Sequence, residues 1–210
     1  MKITKYGHAC FTVEREGQFL VVDPGSLSPD FVVPENVVAI VITHEHADHF
    51  DPDKLAAIYN KNPNSLLLAD ESVTTKMPDH KSQAVSVGDQ ITVGAFQLEF
   101  FGGKHATVYQ DTPQLVNLGV MINEQLYYPG DSLTVPNKPV DVLALPLGAP
   151  WLKTSEAIDF MLRVKPRFAF PTHDGVLSSA GQTFGDNWLK QSAEPAGIVY
   201  KRLGGEAVEI

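Results

Sequence analysis

Thr43-His44-Glu45-His46-Ala47-Asp48-His49 packs three imidazoles and two carboxylates into seven residues. It follows Val37-Val38-Ala39-Ile40-Val41-Ile42, an unbroken apolar run that reads as a buried strand. It precedes Asp51-Pro52, which predicts a helix with Asp51 as N-cap and Pro52 at the first helical position. The cluster therefore lies on a short strand-to-helix loop at the carboxyl end of a strand, where open α/β sheets place ligands.

The spacing within the cluster carries chemistry. His44 and His46 are two residues apart, so an extended segment points both imidazoles the same way. Asp48 and His49 then leave in another direction. A helix would need ligands three or four apart to share a face. The layout suits two metal ions side by side, with His44 and His46 on one and Asp48 and His49 on the other. A polar loop that merely happens to be rich in histidine is the plain alternative. With only seven histidines in the chain, three of them here, that alternative is the weaker reading.

His-x-His-x-Asp-His after a buried strand resembles the metallo-β-lactamase superfamily. Further positions of that family's pattern follow in order. They are Asp23 in Leu20-Val21-Val22-Asp23-Pro24-Gly25, His105 in Gly102-Gly103-Lys104-His105-Ala106, Asp131 in Tyr128-Pro129-Gly130-Asp131-Ser132, and His173 in Phe170-Pro171-Thr172-His173-Asp174-Gly175. The match runs from near residue 1 to about residue 175. The opening Met1-Lys2-Ile3-Thr4-Lys5-Tyr6-Gly7-His8-Ala9-Cys10-Phe11 looks like the compact branch of hydrolases similar to ascorbate-phosphate lactonase.

The resemblance implies an α/β fold, the four-layer αβ/βα sandwich, in which two mixed β-sheets pack face to face with helices outside. It implies a dinuclear metal site in which His44, His46 and His105 hold one ion and Asp48, His49 and His173 the other. Asp131 bridges them, because a carboxylate has two oxygens to share. Asp23 stands behind the ligands, accepting the free N–H of a metal-bound histidine. Two divalent ions are expected, zinc first for the all-nitrogen set, with manganese or iron as alternatives. The implied reaction is hydrolysis of a small ester, lactone or phosphodiester by a metal-bound hydroxide. His8 and Asp48 are the candidates to protonate the leaving group. His8 otherwise reads as a turn histidine bonded to backbone. Two other readings stand beside this one: a phosphodiesterase or nuclease of the same fold, which would carry a basic rim, and a non-catalytic metal-binding or ligand-sensing protein.

Composition narrows the field. The 210 residues are 43% hydrophobic and 20% charged, consistent with a single domain spanning residues 1–210. The formal net charge of −9, without a basic run, argues against a general nucleic-acid binder. The lone cysteine, Cys10, permits no intrachain disulfide and reads as a small apolar residue. No targeting segment or long apolar span is recognisable, so a cytoplasmic protein with no membrane span is the default expectation. Its partner is a small-molecule substrate, and homo-oligomerisation is left open.

The remaining elements follow from periodicity and turn signals. Residues 2–5, 10–14 and 18–23 read as strands, the last two joined by a hairpin at Glu16-Gly17. A Ser- and Pro-rich loop, 26–36, is placed to rim the pocket. A helix runs from Pro52 to about Asn60, then a strand over 65–69 and a short helix over 71–77. His80 reads as a surface histidine. Residues 83–103 suggest an antiparallel meander. Residues 106–114, with Tyr109, Asp111 and Pro113, form a polar loop. Residues 115–123 and 125–128 suggest a hairpin, and 140–145 a buried strand. Trp151 either lines the pocket or covers the core. Thr154 is expected to cap a helix of about ten residues. Strand 167–171, helix 182–190 and closing strands at 197–200 and 207–210 complete the chain. The letters show no internal repeat.

Overall fold

In the computed structural model, which describes residues 1–110 and 113–210, the chain opens with three antiparallel strands. These are β1 (Lys2–Lys5), β2 (Phe11–Arg15) and β3 (Gln18–Val22). Glu16 and Gly17, both at positive φ, turn the hairpin between the last two. The chain then runs in parallel steps through β4 (Val37–Val41), helix α1 (Pro52–Lys61), β5 (Leu66–Ala69), the one-turn helix α2 (Glu71–Thr74) and β6 (Ser82–Ala84). The second half repeats this plan. β7 (Gln90–Val93), β8 (Phe96–Gly102), β9 (Leu118–Ile122) and β10 (Leu126–Tyr128) are antiparallel. β11 (Val142–Pro146), α3 (Thr154–Val164), β12 (Phe168–Thr172), α4 (Ser179–Ala193) and β13 (Val199–Tyr200) are parallel steps. The last strand, β14 (Val208–Glu209), returns to pair with β1.

Among the described residues there are thus two mixed sheets of seven strands, ordered β14-β1-β2-β3-β4-β5-β6 and β7-β8-β9-β10-β11-β12-β13. Taken position by position, the two orders have the same pattern of antiparallel and parallel pairs. A repeat invisible in the letters is therefore present in the topology. β1, β2, β3 and β4 correspond to β8, β9, β10 and β11.

Three apolar clusters make four layers. The central one joins Phe11, Leu20, Val41 and Leu68 of the first sheet to Phe96, Phe100, Val120, Tyr128 and Phe170 of the second. A second packs Leu143, Leu145 and Ala169 under Phe160, Met161 and Leu189 of α3 and α4. A third packs Val21, Ile40 and Leu67 under Leu55, Ile58 and Val73 of α1 and α2. β4 is the sequence run that decided the fold, and it faces both ways: Ala39 and Val41 enter the central layer while Val37 and Ile40 meet the helix layer. A strand buried on both faces has no polar side to show, which is why it reads as continuous hydrophobe. Among the described residues no helix is long and apolar enough to cross a membrane.

Four readings need correction. The expected meander over 83–103 is divided between sheets: β6 pairs parallel with β5, and only β7 and β8 form an antiparallel pair. The one-turn α2 suffices to carry the chain across to that parallel edge. The N-cap of α3 is Lys153, whose N–H donates to the Glu156 carboxylate at 2.8 Å, with Thr154 already helical. α4 extends to Ser179–Ala193 because the Ser178 hydroxyl caps it, accepting from the Gly181 N–H. His80 is half-buried, its ring 4.2 Å from that of Tyr59. Asp111 lies outside the described residues.

Candidate metal centre

The strand ends of both sheets converge on one site. The 44–49 loop leaves β4 and enters α1, whose N-cap Asp51 accepts from the N–H groups of Asp53 and Lys54. His105 sits in the β8–β9 connection, Asp131 beyond β10, and His173 directly after β12. His44, His46 and His105 present ligand atoms within 4.8 Å of one another. So do Asp48, His49 and His173, joined by His8, and so do His44, His49 and Asp131. The structure thus brings together all seven residues expected to hold metal.

Hydrogen bonds fix which nitrogen each histidine turns inward. His44 Nδ1 faces Thr43 Oγ1 at 3.0 Å, and His49 Nδ1 faces Asp23 Oδ2 at 2.7 Å. His105 Nδ1 faces the Ala106 carbonyl at 2.6 Å, and His173 Nδ1 the Gly148 carbonyl at 2.7 Å. Each of these four rings donates through Nδ1–H and turns its Nε2 toward the centre. His46 differs, turning Nδ1 inward to within 3.0 Å of His44 Nε2. Asp131 places Oδ1 3.2 Å from His49 Nε2, and Oδ2 3.3 Å and 2.9 Å from the Nε2 atoms of His105 and His173. It therefore lies between the two sets.

Asp23, fully buried, is the hub behind this cluster. Its Oδ1 accepts the Thr43 N–H at 2.8 Å. Its Oδ2 accepts the Thr43 hydroxyl at 2.7 Å, the His49 Nδ1–H and the Tyr128 hydroxyl at 3.0 Å. Because the Thr43 hydroxyl spends its proton on Asp23, its lone pairs are left for the His44 Nδ1–H. One carboxylate thus orients a histidine of each set.

The donor set fits divalent metal. His49 Nε2, His105 Nε2, His173 Nε2 and Asp131 Oδ1 are buried side-chain atoms without a hydrogen-bond partner. Buried polar atoms are normally satisfied, and four orphans converging on one point call for a cation. The local field agrees. Burial opposes ionisation of Asp131, but His49, His105 and His173 overcome it and hold the carboxyl well below the usual range. Burial likewise opposes charge on His173, yet Asp131 and Asp48 raise its pKa to about 9. Burial, reinforced by His49, lowers His44 well below the usual value, which favours its neutral form.

Other positions resolve as follows. His8 lies at the centre, with Nε2 3.0 Å from Asp48 Oδ2. Trp151 borders the site: its indole N–H donates to Asp131 Oδ2 at 3.0 Å, and its ring lies 6.1 and 6.0 Å from those of His105 and His173. Asp174 turns away from the centre toward the buried Lys5 and the Arg202 guanidinium. Cys10 is buried, and burial pushes its thiol up to about 12. Sequence reasoning missed Thr43, Tyr128 and Asn117. The Asn117 side chain is fully buried, accepts the Asp131 N–H and donates to the Pro129 carbonyl. An asparagine inside the apolar run Leu115-Val116-Asn117-Leu118-Gly119-Val120 was the available signal.

Fold and ligand arrangement define a protein of the metallo-β-lactamase superfamily, and the comparisons agree. The family model described as a beta-lactamase superfamily domain matches residues 2–173, so the chain belongs to that family. It is 35% identical over 183 residues to the Mycobacterium tuberculosis protein Rv0786c, covering 85% of this chain and 86% of that one. It is 25% identical over 197 residues to a UPF0173 metal-dependent hydrolase of Carboxydothermus hydrogenoformans, covering 82% and 84%. Among solved structures it is similar to Igni18, a metallo hydrolase from Ignicoccus hospitalis. That match has a TM-score of 0.77 and 19% identity, and covers 100% of this chain and 98% of that chain.

Proposed function

We propose that this chain is a metal-dependent hydrolase acting on a small ester, lactone or phosphodiester with two divalent ions, zinc first. His44, His46 and His105 would hold one ion and Asp48, His49 and His173 the other, with Asp131 shared. The observation that carries the reading is the convergence of buried, unpartnered His49, His105 and His173 Nε2 atoms and Asp131 Oδ1. Bound there, the ions would lower the pKa of a coordinated water and polarise the group under attack. The chain's own contribution is orientation. Asp23, Thr43 and the carbonyls of Ala106 and Gly148 lock the imidazoles. Trp151 holds one oxygen of Asp131.

The test is elemental analysis of untagged protein purified without chelator, followed by turnover assays on chromogenic lactones, esters and phosphodiesters. The expected result is close to two ions per chain, with hydrolysis that disappears on chelation and in Asp131→Ala. Protein that neither carries metal nor takes it up on reconstitution would overturn the proposal.

A further inference from the structure

The matching strand orders pair not only strands but connections. The β1–β2 connection carries His8 in Tyr6-Gly7-His8-Ala9, and its counterpart between β8 and β9 carries His105 in Gly103-Lys104-His105-Ala106. His8 is thus the topological counterpart of a ligand. Its side chain sits in the cluster of Asp48, His49 and His173 as His105 sits in that of His44 and His46. Position alone would make it an additional ligand.

Its hydrogen bonds say otherwise. The Gly175 N–H donates to His8 Nδ1 at 3.0 Å. A neutral imidazole has one N–H and one lone pair. With the Nδ1 lone pair taken by an N–H, the proton must sit on Nε2, which lies 3.0 Å from Asp48 Oδ2. A nitrogen that carries a proton cannot also ligate a metal. The wiring of His8 is therefore the reverse of that of His44, His49, His105 and His173, which direct Nδ1 to oxygen atoms and turn Nε2 toward the centre.

The surroundings are built to keep this arrangement. The His173 N–H donates to the His8 carbonyl at 3.0 Å, so the two turns are stitched by a backbone bond as well as a side-chain bond. Residue 175 is a glycine against which the His8 ring packs. A Cβ there would fall 3.0 Å from His8 Cβ and 3.2 Å from Nδ1. Behind it Asp174 is anchored to Lys5 and Arg202. The His8 side chain has no solvent exposure.

We infer that His8 is a positioning residue whose Nε2–H holds Asp48 in ligating orientation, and that it is neither a metal ligand nor the acid for the leaving group. This rests on the reading of Asp48 and its neighbours as a metal site. An imidazole whose only proton is engaged by Asp48, and whose other nitrogen faces an N–H, has no proton to give a substrate.

The experiment is long-range ¹H–¹⁵N NMR of protein labelled with ¹⁵N-histidine, metal-free and loaded with ¹¹³Cd. The expected His8 signal has its proton on Nε2 in both states and no coupling to ¹¹³Cd, while His105 shows the proton on Nδ1 and ¹¹³Cd coupling at Nε2. Coupling at His8 Nε2, or a proton on His8 Nδ1, would overturn the inference. A failure of the metal reading shows separately, as no ¹¹³Cd coupling at His105, and the His8 tautomer is legible either way. Variants add a second readout. His8→Gln keeps a donor at the Nε2 position and is expected to retain Zn²⁺ affinity at both sites within about threefold. His8→Asn keeps an acceptor for Gly175 but cannot reach Asp48, and is expected to weaken one site by roughly tenfold, at the lower end of such supporting contacts. Gly175→Ala, which displaces the ring, is expected to behave like His8→Asn. Equal affinities in the Gln and Asn variants would count against the positioning role.

Discussion

At the residue scale the site is governed by which atom carries each proton, and Asp23 decides two of those choices. Its Oδ2 accepts from Thr43, His49 and Tyr128 at once. An amide in its place has only one oxygen and presents an NH₂ that must face one of these donors. Asp23→Asn should therefore lower metal affinity by about 10–100-fold, measured by calorimetric titration of metal-free protein with Zn²⁺. An unchanged affinity would show that Thr43 and Tyr128 hold the histidines without it. The same wiring sets the response of the metal-free protein to pH. Against burial, Asp131 and Asp48 raise His173 to about 9, and Asp131 and Asp23 raise His49. Burial lowers His44, His46 and His8. A raised base contributes stability that is complete below its ordinary pKa of 6.5 and is lost as pH climbs through the folded value. A lowered base leaves stability intact above 6.5 and loses it as pH falls. Calorimetry in the presence of chelator should therefore find the highest melting temperature near pH 6.5, falling toward pH 9 and toward acid. A steady rise from 6.5 to 9 would contradict these assignments.

At the element scale the 44–49 loop is held by its neighbours rather than by its own sequence. Gly25, in the loop after β3, packs against its backbone: a Cβ at that position would lie 1.9 Å from the Asp48 carbonyl oxygen. The Ser26 N–H donates to the Ala47 carbonyl at 2.8 Å. Gly25→Ala must push the two segments apart, and overpacking of this kind costs about 1–3 kcal/mol. Urea denaturation should show that loss, accompanied by weaker metal binding; a stability within error of wild type would mean that the loop yields freely. Much at this scale was readable in advance. β4 announced itself because both faces are buried, and α1 because Asp51-Pro52 is a strong start signal. The seven candidate metal-holding positions could be named from the resemblance to the metallo-β-lactamase superfamily, and the structure brings them together. What could not be read is contact across the sheets. Thr43 and Tyr128 act on Asp23 from 20 and 105 positions away, and nothing local marks them; Asn117 acts on Asp131 from 14 positions away, marked only as an asparagine inside an apolar run. The division of 83–103 was missed for the same reason, since β6 and β7 are short edge strands whose partners lie in different sheets.

At the scale of the whole molecule the centre is a seam. The first sheet contributes His44, His46, Asp48 and His49, and the second His105, Asp131 and His173. Backbone bonds cross the same seam, from the Leu118 N–H to the Thr43 carbonyl and from His173 to His8. Metal would thus join two halves that otherwise meet through the central apolar layer, and every ligand bond it forms stabilises the folded state alone. At a free metal concentration 100 times the dissociation constant, one site adds about 2.7 kcal/mol. For a chain of this length that corresponds to a rise of roughly 5–10 °C in melting temperature. Hydrogen exchange gives the sharper test, because the stabilisation should be felt on both sides of the seam. Amides at the ends of β4 and β12 should slow together when Zn²⁺ is added, and Asp131→Ala should abolish the joint effect. Slowing confined to the first sheet would mean that His44, His46, Asp48 and His49 take up metal without the second sheet, and the shared role of Asp131 would fall.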